Sequence, residues 1–335
     1  MFSTRKIFCK YCVFITFCIS FLVCAFSWIG LVYYQEGVPT ESSRWIYECY
    51  QKKIGYAKSV SQPKIVWIAG SSGLFGVNMA EIGDRFNVPT LNFGVHAGLR
   101  LKYIVDMAKT VLVPEDTAIV AMEYELFLTE KIPNVELLDY MFSRDPDYLH
   151  SQNIMNQAKF YFALSEKRLL AGLKAKRQPQ TASLDGYQAS TLNRHGDETK
   201  KYLDPQNTPL INIHNRVLSE TPNWSALLKG IPDDSPQWTI FRDFLQWCKS
   251  NHVRVILTYP SVAYFPEYQG EIGKKTLSKV EQFYNSLETP VLGTPTEFMY
   301  DKKYFYDTIY HLNSEGAKLH TQELITMLQP YLQRP

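Results

Sequence analysis

The segment Lys64-Ile-Val-Trp-Ile-Ala-Gly70-Ser71-Ser72-Gly73 is a short apolar run, rich in β-branched and aromatic residues, that stops at two glycines and two serines. Such a run reads as a strand buried on both faces that enters a tight turn, the pattern of a parallel sheet. Working outward, further strands are expected at Thr90–Phe93, Thr117–Met122, Val253–Tyr259 and Pro290–Leu292. Helical periodicity falls between several of them, at about 99–112, 237–251, 274–287 and 315–329. Strands alternating with helices predict an α/β domain with a mainly parallel sheet, whose ligands sit beyond the carboxyl ends of the strands.

Upstream, Arg5, Lys6 and Lys10 precede an uncharged run from Tyr11 to Tyr34. Twenty-four residues at about 1.5 Å each give roughly 36 Å, enough for a hydrocarbon core of about 30 Å. No small-residue cleavage pattern ends the run, so an uncleaved signal anchor is preferred over a cleaved signal peptide. Basic residues on the amino-terminal flank place residues 1–10 in the cytoplasm, 11–34 in the membrane and 35–335 outside. Residues 35–62 read as a polar, partly helical lead-in, and 63–335 as the outer domain.

The formal charge of +2 comes from 35 Lys and Arg against 33 Asp and Glu, and three of the basic residues flank the span. The remainder is close to neutral, which provides no electrostatic footprint for nucleic acid. Cys49 and Cys248 are the two cysteines outside the anchor region; a disulfide or two free thiols both fit the sequence. Residues 128–235 form a long insertion between the third and fourth strands. It contains an amphipathic helix near 152–175 and then a polar stretch, and reads either as a substrate-facing cap or as an excursion without fixed structure.

Two places carry candidate chemistry. Gly70-Ser71-Ser72-Gly73 sets a serine hydroxyl in a strand-to-helix turn, where backbone amides and the helix dipole converge. It is neither a Walker loop nor a dinucleotide fingerprint. Near the other end, Phe305-Tyr-Asp307-Thr-Ile-Tyr-His311-Leu-Asn-Ser-Glu-Gly316 places an acid beside a histidine before the last helix, which Asn313 or Ser314 would cap. An α/β-hydrolase elbow needs Gly-x-Ser-x-Gly, and position 74 is Leu.

Together these blocks resemble the SGNH/GDSL hydrolase superfamily. Within it, the chain is similar to the membrane-anchored branch associated with acylation of bacterial cell-surface polymers, which includes the D-alanyl transfer and alginate O-acetylation proteins. Gly70-Ser71-Ser72, Asn92-Phe-Gly-Val-His-Ala-Gly98 and Asp307…His311-Leu-Asn-x-x-Gly316 carry the resemblance, over about residues 62–329 without the insertion. It implies a three-layer, flavodoxin-like fold, with Ser72 as nucleophile, His311 as general base and Asp307 as the orienting acid. The Ser72 amide would donate to the oxyanion, joined by the amide of Gly94 or Gly98.

The chain departs from the family at two points. Asp307 stands four residues before His311, where the family has three. The family's oxyanion-stabilising Gly-x-Asn-Asp is replaced by Met122-Glu-Tyr-Glu-Leu-Phe127, and loss of one such donor costs about 10²–10³ in rate. Either a donor comes from elsewhere, with Asn193 or His195 as candidates, or general hydrolysis is poor; His96 is either a loop histidine or a substrate contact. Glu123 and Glu125 read as paired carboxylates or, in the plainer reading, as one solvent-facing group and one hydrogen-bonded group. No histidine spacing suits a metal, and no cofactor is expected.

The resemblance thus implies a serine acyltransferase or esterase in O-acylation, and more narrowly O-acetylation, of a surface polysaccharide or cell-envelope polymer. It would sit in the bacterial inner membrane with its domain in the periplasm, beside a multispanning O-acyltransferase partner. The alternative is a catalytically weak glycan-binding or scaffold subunit on the same fold.

Overall fold

The computed structural model describes residues 2–129, 132–178, 187–199 and 220–332; the rest of the 128–235 insertion lies outside the described residues. In chain order the elements are α1 (Phe2–Tyr34), α2 (Arg44–Ser59), β1 (Ile65–Ile68), α3 (Ser71–Gly76), α4 (Met79–Phe86), β2 (Thr90–Asn92), α5 (Arg100–Lys109) and β3 (Thr117–Val120). There follow α6 (Val135–Arg144), α7 (Pro146–Ser151), α8 (Ile154–Ala163), α9 (Glu166–Arg177), α10 (Ala226–Lys229) and α11 (Gln237–Ser250). The chain ends with β4 (Arg254–Leu257), β5 (Val262–Ala263), α12 (Glu271–Asn285), β6 (Met299–Tyr300) and α13 (Ser314–Leu332). Two compact units result: Met1–Arg44 with Lys131–Asp185, and Trp45–Glu130 with Gly186–Pro335.

The second unit holds the sheet. Its strands run parallel in the order β2-β1-β3-β4, and Val291 adds a single parallel bridge beside Leu257. The expected fifth strand at Pro290–Leu292 is therefore only a bridge, held by Leu257 N–H to Pro290 O and Leu292 N–H to Leu257 O, each 2.8 Å. Every residue of β1, β2 and β3 is buried, which accounts for the uninterrupted apolar sequence of β1; in β2 the polar Thr90 and Asn92 are buried with partners, Thr90 Oγ1 donating to Met79 O at 2.5 Å and Asn92 Nδ2 to Gly73 O at 2.8 Å. The strand order reverses between β1 and β3, the place where a crevice opens beyond the carboxyl ends. α2 covers the second unit with Ile46, Cys49, Tyr50, Lys53 and Ala57, a run at helical spacing. Cys49 and Cys248 are buried free thiols, and burial pushes them up to about 11 and about 12.

In the first unit, α1 contains one stretch, Tyr11–Tyr34, long and apolar enough to cross a membrane. The single helix expected near 152–175 is two, α8 and α9. Ser165 starts the second by accepting the Arg168 amide on its hydroxyl, and Leu164 before it is extended. A polar knot holds this unit inside. Asp139 accepts from Thr40 and Ser42 and pairs with Arg168, which in turn donates to Gln35 Oε1 at 2.6 Å.

Candidate active site

β1 ends at Ile68 and the chain turns at Gly70 into α3, so Ser72 lies in the first turn of that short helix. Space dictates the glycine. A Cβ at Gly70 would stand 2.6 Å from Glu123 Oε1 and 2.7 Å from Ala97 Cα. Gly94 is constrained from the other side, since a Cβ there would stand 2.6 Å from Gly70 O and 2.9 Å from Leu74 N. The loop after β2 therefore lies directly against the turn that carries Ser72.

Glu123 follows β3 and reaches across the β1/β3 reversal. Its Oε2 accepts the Gly70 amide at 2.9 Å and its Oε1 accepts the Ser72 amide at 2.8 Å. The carboxylate is 1% exposed; two charge-assisted bonds at a helix start offset its desolvation. The plainer reading of the 123/125 pair, with one group facing solvent, does not hold for Glu125 either. Its Oε1 accepts the Ala226 amide at 2.9 Å, its Oε2 is out of solvent, and burial raises its pKa against that bond.

On the opposite side, the chain from Phe305 to Leu312 folds back on itself. Phe305 and Leu312 form an antiparallel bridge, Tyr306 N–H donates to His311 O at 2.8 Å, and His311 N–H donates to Thr308 Oγ1 at 3.2 Å. This turn absorbs the four-residue spacing and sets His311 Nδ1 2.7 Å from Asp307 Oδ1. Burial raises the Asp307 pKa, but the hydrogen bonds from His311 and Tyr187 and the His311 charge outweigh it and hold the carboxyl below its usual range. Asn313 caps α13 by accepting the Gly316 amide at 3.0 Å, and Gly316 is needed because a Cβ would stand 2.5 Å from Tyr304 O.

Tyr187 was not singled out by sequence. Its hydroxyl donates to Asp307 Oδ2, the oxygen that His311 leaves open, and lies 3.5 Å from His311 Nδ1. Its ring packs 5.1 Å from Trp45 and 5.0 Å from Phe75, and the Phe75 ring lies 4.3 Å from His311. Phe75 is three residues beyond Ser72 on α3, so this aromatic contact brings the His311 loop onto the serine-bearing helix. The Ser72 hydroxyl itself is buried and has no hydrogen-bond partner among the described residues.

The amides expected to face an oxyanion each have an internal acceptor. Gly94 N–H donates to Asn92 Oδ1 at 3.1 Å, and Gly98 N–H donates to His96 Nδ1 at 2.9 Å. His96 thus closes its own loop, while its ring lies 5.5 Å from Trp45. Behind that loop, buried Lys53 donates to Gly94 O at 2.5 Å, and burial lowers its pKa to about 8.

Asn193 and His195 belong to a bracket around Asp197. Asp197 accepts the Met79 and Ala80 amides at 2.9 and 3.1 Å, pinning the start of α4. Asn193 is closed onto Asp197 through both its Oδ1 and Nδ2, each at 3.0 Å. The His195 ring is held by Thr90 through Nδ1 and accepts from Arg194 Nε at 2.9 Å. Asn193 also lines a cavity of about 350 Å³ together with Phe75, Asn78, Glu198, Ser314 and Lys318. Phe75 is thus shared between this cavity and the His311 ring.

No family model matches the chain, and no curated protein matches it. The arrangement must be read on its own chemistry. Asp307 fixes the ring orientation of His311, favours the tautomer with the proton on Nδ1 and stabilises an imidazolium. Among the described residues, no group of three or more His, Cys, Asp or Glu is placed to hold a metal ion.

Proposed function

We propose that the second unit is an SGNH-type, flavodoxin-like domain that transfers or hydrolyses acyl esters through Ser72. The observation that carries this reading is the Asp307–His311 pair at 2.7 Å, completed by Tyr187 and packed against Phe75 on the helix that bears Ser72. In the first step His311 Nε2 takes the Ser72 hydroxyl proton as Ser72 Oγ bonds to the acyl carbon. The proton then passes to the departing alcohol as its bond to the acyl carbon breaks. In the second step an acceptor hydroxyl, from a glycan or from water, gives its proton to His311 as its oxygen bonds to the acyl carbon, and His311 returns the proton to Ser72 Oγ as the Ser72–acyl bond breaks. The acyl group we favour is acetyl and the acceptor a surface polysaccharide or other cell-envelope polymer. An apolar anchor of the length of Tyr11–Tyr34 would hold this domain on the outer face of a bacterial inner membrane, beside a multispanning acyl donor.

A second reading is favoured by one observation: the Ser72, Gly94 and Gly98 amides all have acceptors within the protein. That state suits a glycan-binding or scaffold subunit with little catalysis. Complementation separates the two. In cells lacking the gene, a Ser72→Ala full chain that restores no ester on the polymer supports the enzyme, and one that restores it fully supports the scaffold.

A further inference from the structure

Within the first unit, the apolar span and the folded part overlap. The run that can cross a membrane ends at Tyr34, yet Val32 inside it is 0% exposed and Trp28 is half-buried. Trp28 Nε1 donates to the carbonyl of Tyr161, near the end of α8, at 2.8 Å. Six residues separate Trp28 from Tyr34, about 9 Å along the helix. A span of about 36 Å exceeds a hydrocarbon core of about 30 Å by only a few ångströms at each end. On those lengths the Tyr161 backbone is tied to a level about 6 Å inside the hydrocarbon boundary, within the depth of about 5–10 Å to which interfacial helices bury their apolar face.

The exposed side of α8 suits that level. Ile154, Met155 and Phe162 are 75%, 68% and 59% exposed. At about 100° per residue they fall within one arc of about 100° on the helix surface. Lys159 stands at the edge of that arc, where its stem can run along lipid while its charge reaches water. The rest of the helix is partly buried, with Phe160 opposite the arc and Gln157 and Tyr161 on its Ile154 flank, and Tyr161 donates its hydroxyl to Glu36 Oε2 at 2.8 Å. α9 follows with Leu170 exposed at 64% and with Lys167, Lys174, Lys176 and Arg177. From 154 to 178 there are six basic residues and one acidic residue, and of the basic ones Arg168 is paired with Asp139. An apolar stripe bordered by lysines is the composition of a helix that binds the surface of an anionic bilayer.

We infer that α8 is a second membrane contact, docking through Ile154, Met155 and Phe162 into the interfacial region of the leaflet from which α1 emerges. This rests on α1 being inserted in the bilayer and is independent of the chemistry at Ser72. Its consequence is orientation: an anchor alone leaves the first unit free to tilt, whereas a second contact fixes its inclination to the membrane.

The test uses the full chain in vesicles of phosphatidylcholine and phosphatidylglycerol, with the photoreactive p-benzoylphenylalanine at position 155 or 162. Phe21 in the span and the exposed Gln246 of α11 serve as reference positions. Lipid adducts at 155 and 162 are expected within about threefold of those at Phe21 and at least about tenfold above those at Gln246. Adducts at the Gln246 level while Phe21 reacts strongly overturn the inference and leave the anchor intact. Crosslinks from 155 and 162 to a second copy of the chain also overturn it. Absence of lipid adducts at Phe21 itself removes the anchor and the inference together.

Discussion

The Glu123 carboxylate accepts the backbone amide of Ser72 at 2.8 Å, in the direction from which a nucleophilic serine's own amide would donate to an oxyanion. The same carboxylate takes the Gly70 amide, so it both shapes the turn and fills it with negative charge. Under the proposed mechanism, the oxyanion formed when Ser72 attacks an acyl carbon would have to compete with this internal anion for the amide. Glu123→Ala removes the competitor, and we expect reaction with a fluorophosphonate to accelerate by up to about 10² in protein that retains native near-ultraviolet dichroism. Unchanged or slower labelling contradicts competition.

Glu123→Gln keeps the size of the side chain but turns an N–H2 toward one of two amide donors. The loss of one charge-assisted bond is expected to cost about 1.5–3 kcal/mol, measured by urea denaturation of the detergent-solubilised chain. A change under about 0.5 kcal/mol would show that the two amides find other partners.

Asp307 and Tyr187 act on His311 in sequence, and their effects differ in size. Asp307→Asn is expected to lower the labelling rate by about 10³–10⁴, because an amide stabilises neither the tautomer nor the imidazolium. Tyr187→Phe removes only the donor to the other Asp307 oxygen, with an expected loss of about threefold to tenfold. Equal losses from both variants would make Tyr187 part of the reacting group rather than its support.

Gly94→Ala places a methyl 2.6 Å from Gly70 O, with backbone on each side and no flexible side chain to yield. A destabilisation of about 1–3 kcal/mol is expected, together with loss of Ser72 reactivity, since relief requires the serine turn to move. Thermal unfolding and labelling on the same sample check both.

His320 gives the fold a pH dependence remote from the chemistry. It is buried, donates through Nδ1 to Gly76 O at 2.8 Å, and burial lowers its pKa to about 4 against that bond. The unfolded chain binds a proton near pH 6.5 while the folded chain resists until about 4. Stability is therefore full above 6.5 and declines as pH falls through this window, by about 2–4 kcal/mol in total. His320→Gln should flatten that part of the profile, read as denaturation midpoints from pH 7 to 4. An unchanged slope would assign it to other groups.

The parallel sheet was legible because β1 (Ile-Val-Trp-Ile) and β3 (Thr-Ala-Ile-Val) are buried on both faces and carry no alternation, although the three-residue β2 reads Thr-Leu-Asn. Asp307 and His311 were legible because their contact is local, within one turn. Tyr187 was not, being one of 22 tyrosines and meeting Asp307 across 120 positions. Glu123 stood out only as half of an acidic pair, since its partners Gly70 and Ser72 are more than 50 residues away. Asn193 and His195 were read as donors from their residue types alone, and nothing local revealed that Asp197 and Thr90 engage them. The break between α8 and α9 carries neither Pro nor Gly, only a serine that prefers the Arg168 amide to helix continuation.

The central claim is that Ser72 is the nucleophile. Treating the full chain with a fluorophosphonate and mapping the adduct by peptide mass spectrometry tests it directly. The account predicts one adduct, on Ser72, absent from Ser72→Ala and strongly reduced in His311→Ala. Labelling that survives Ser72→Ala, or an adduct on another residue, contradicts it.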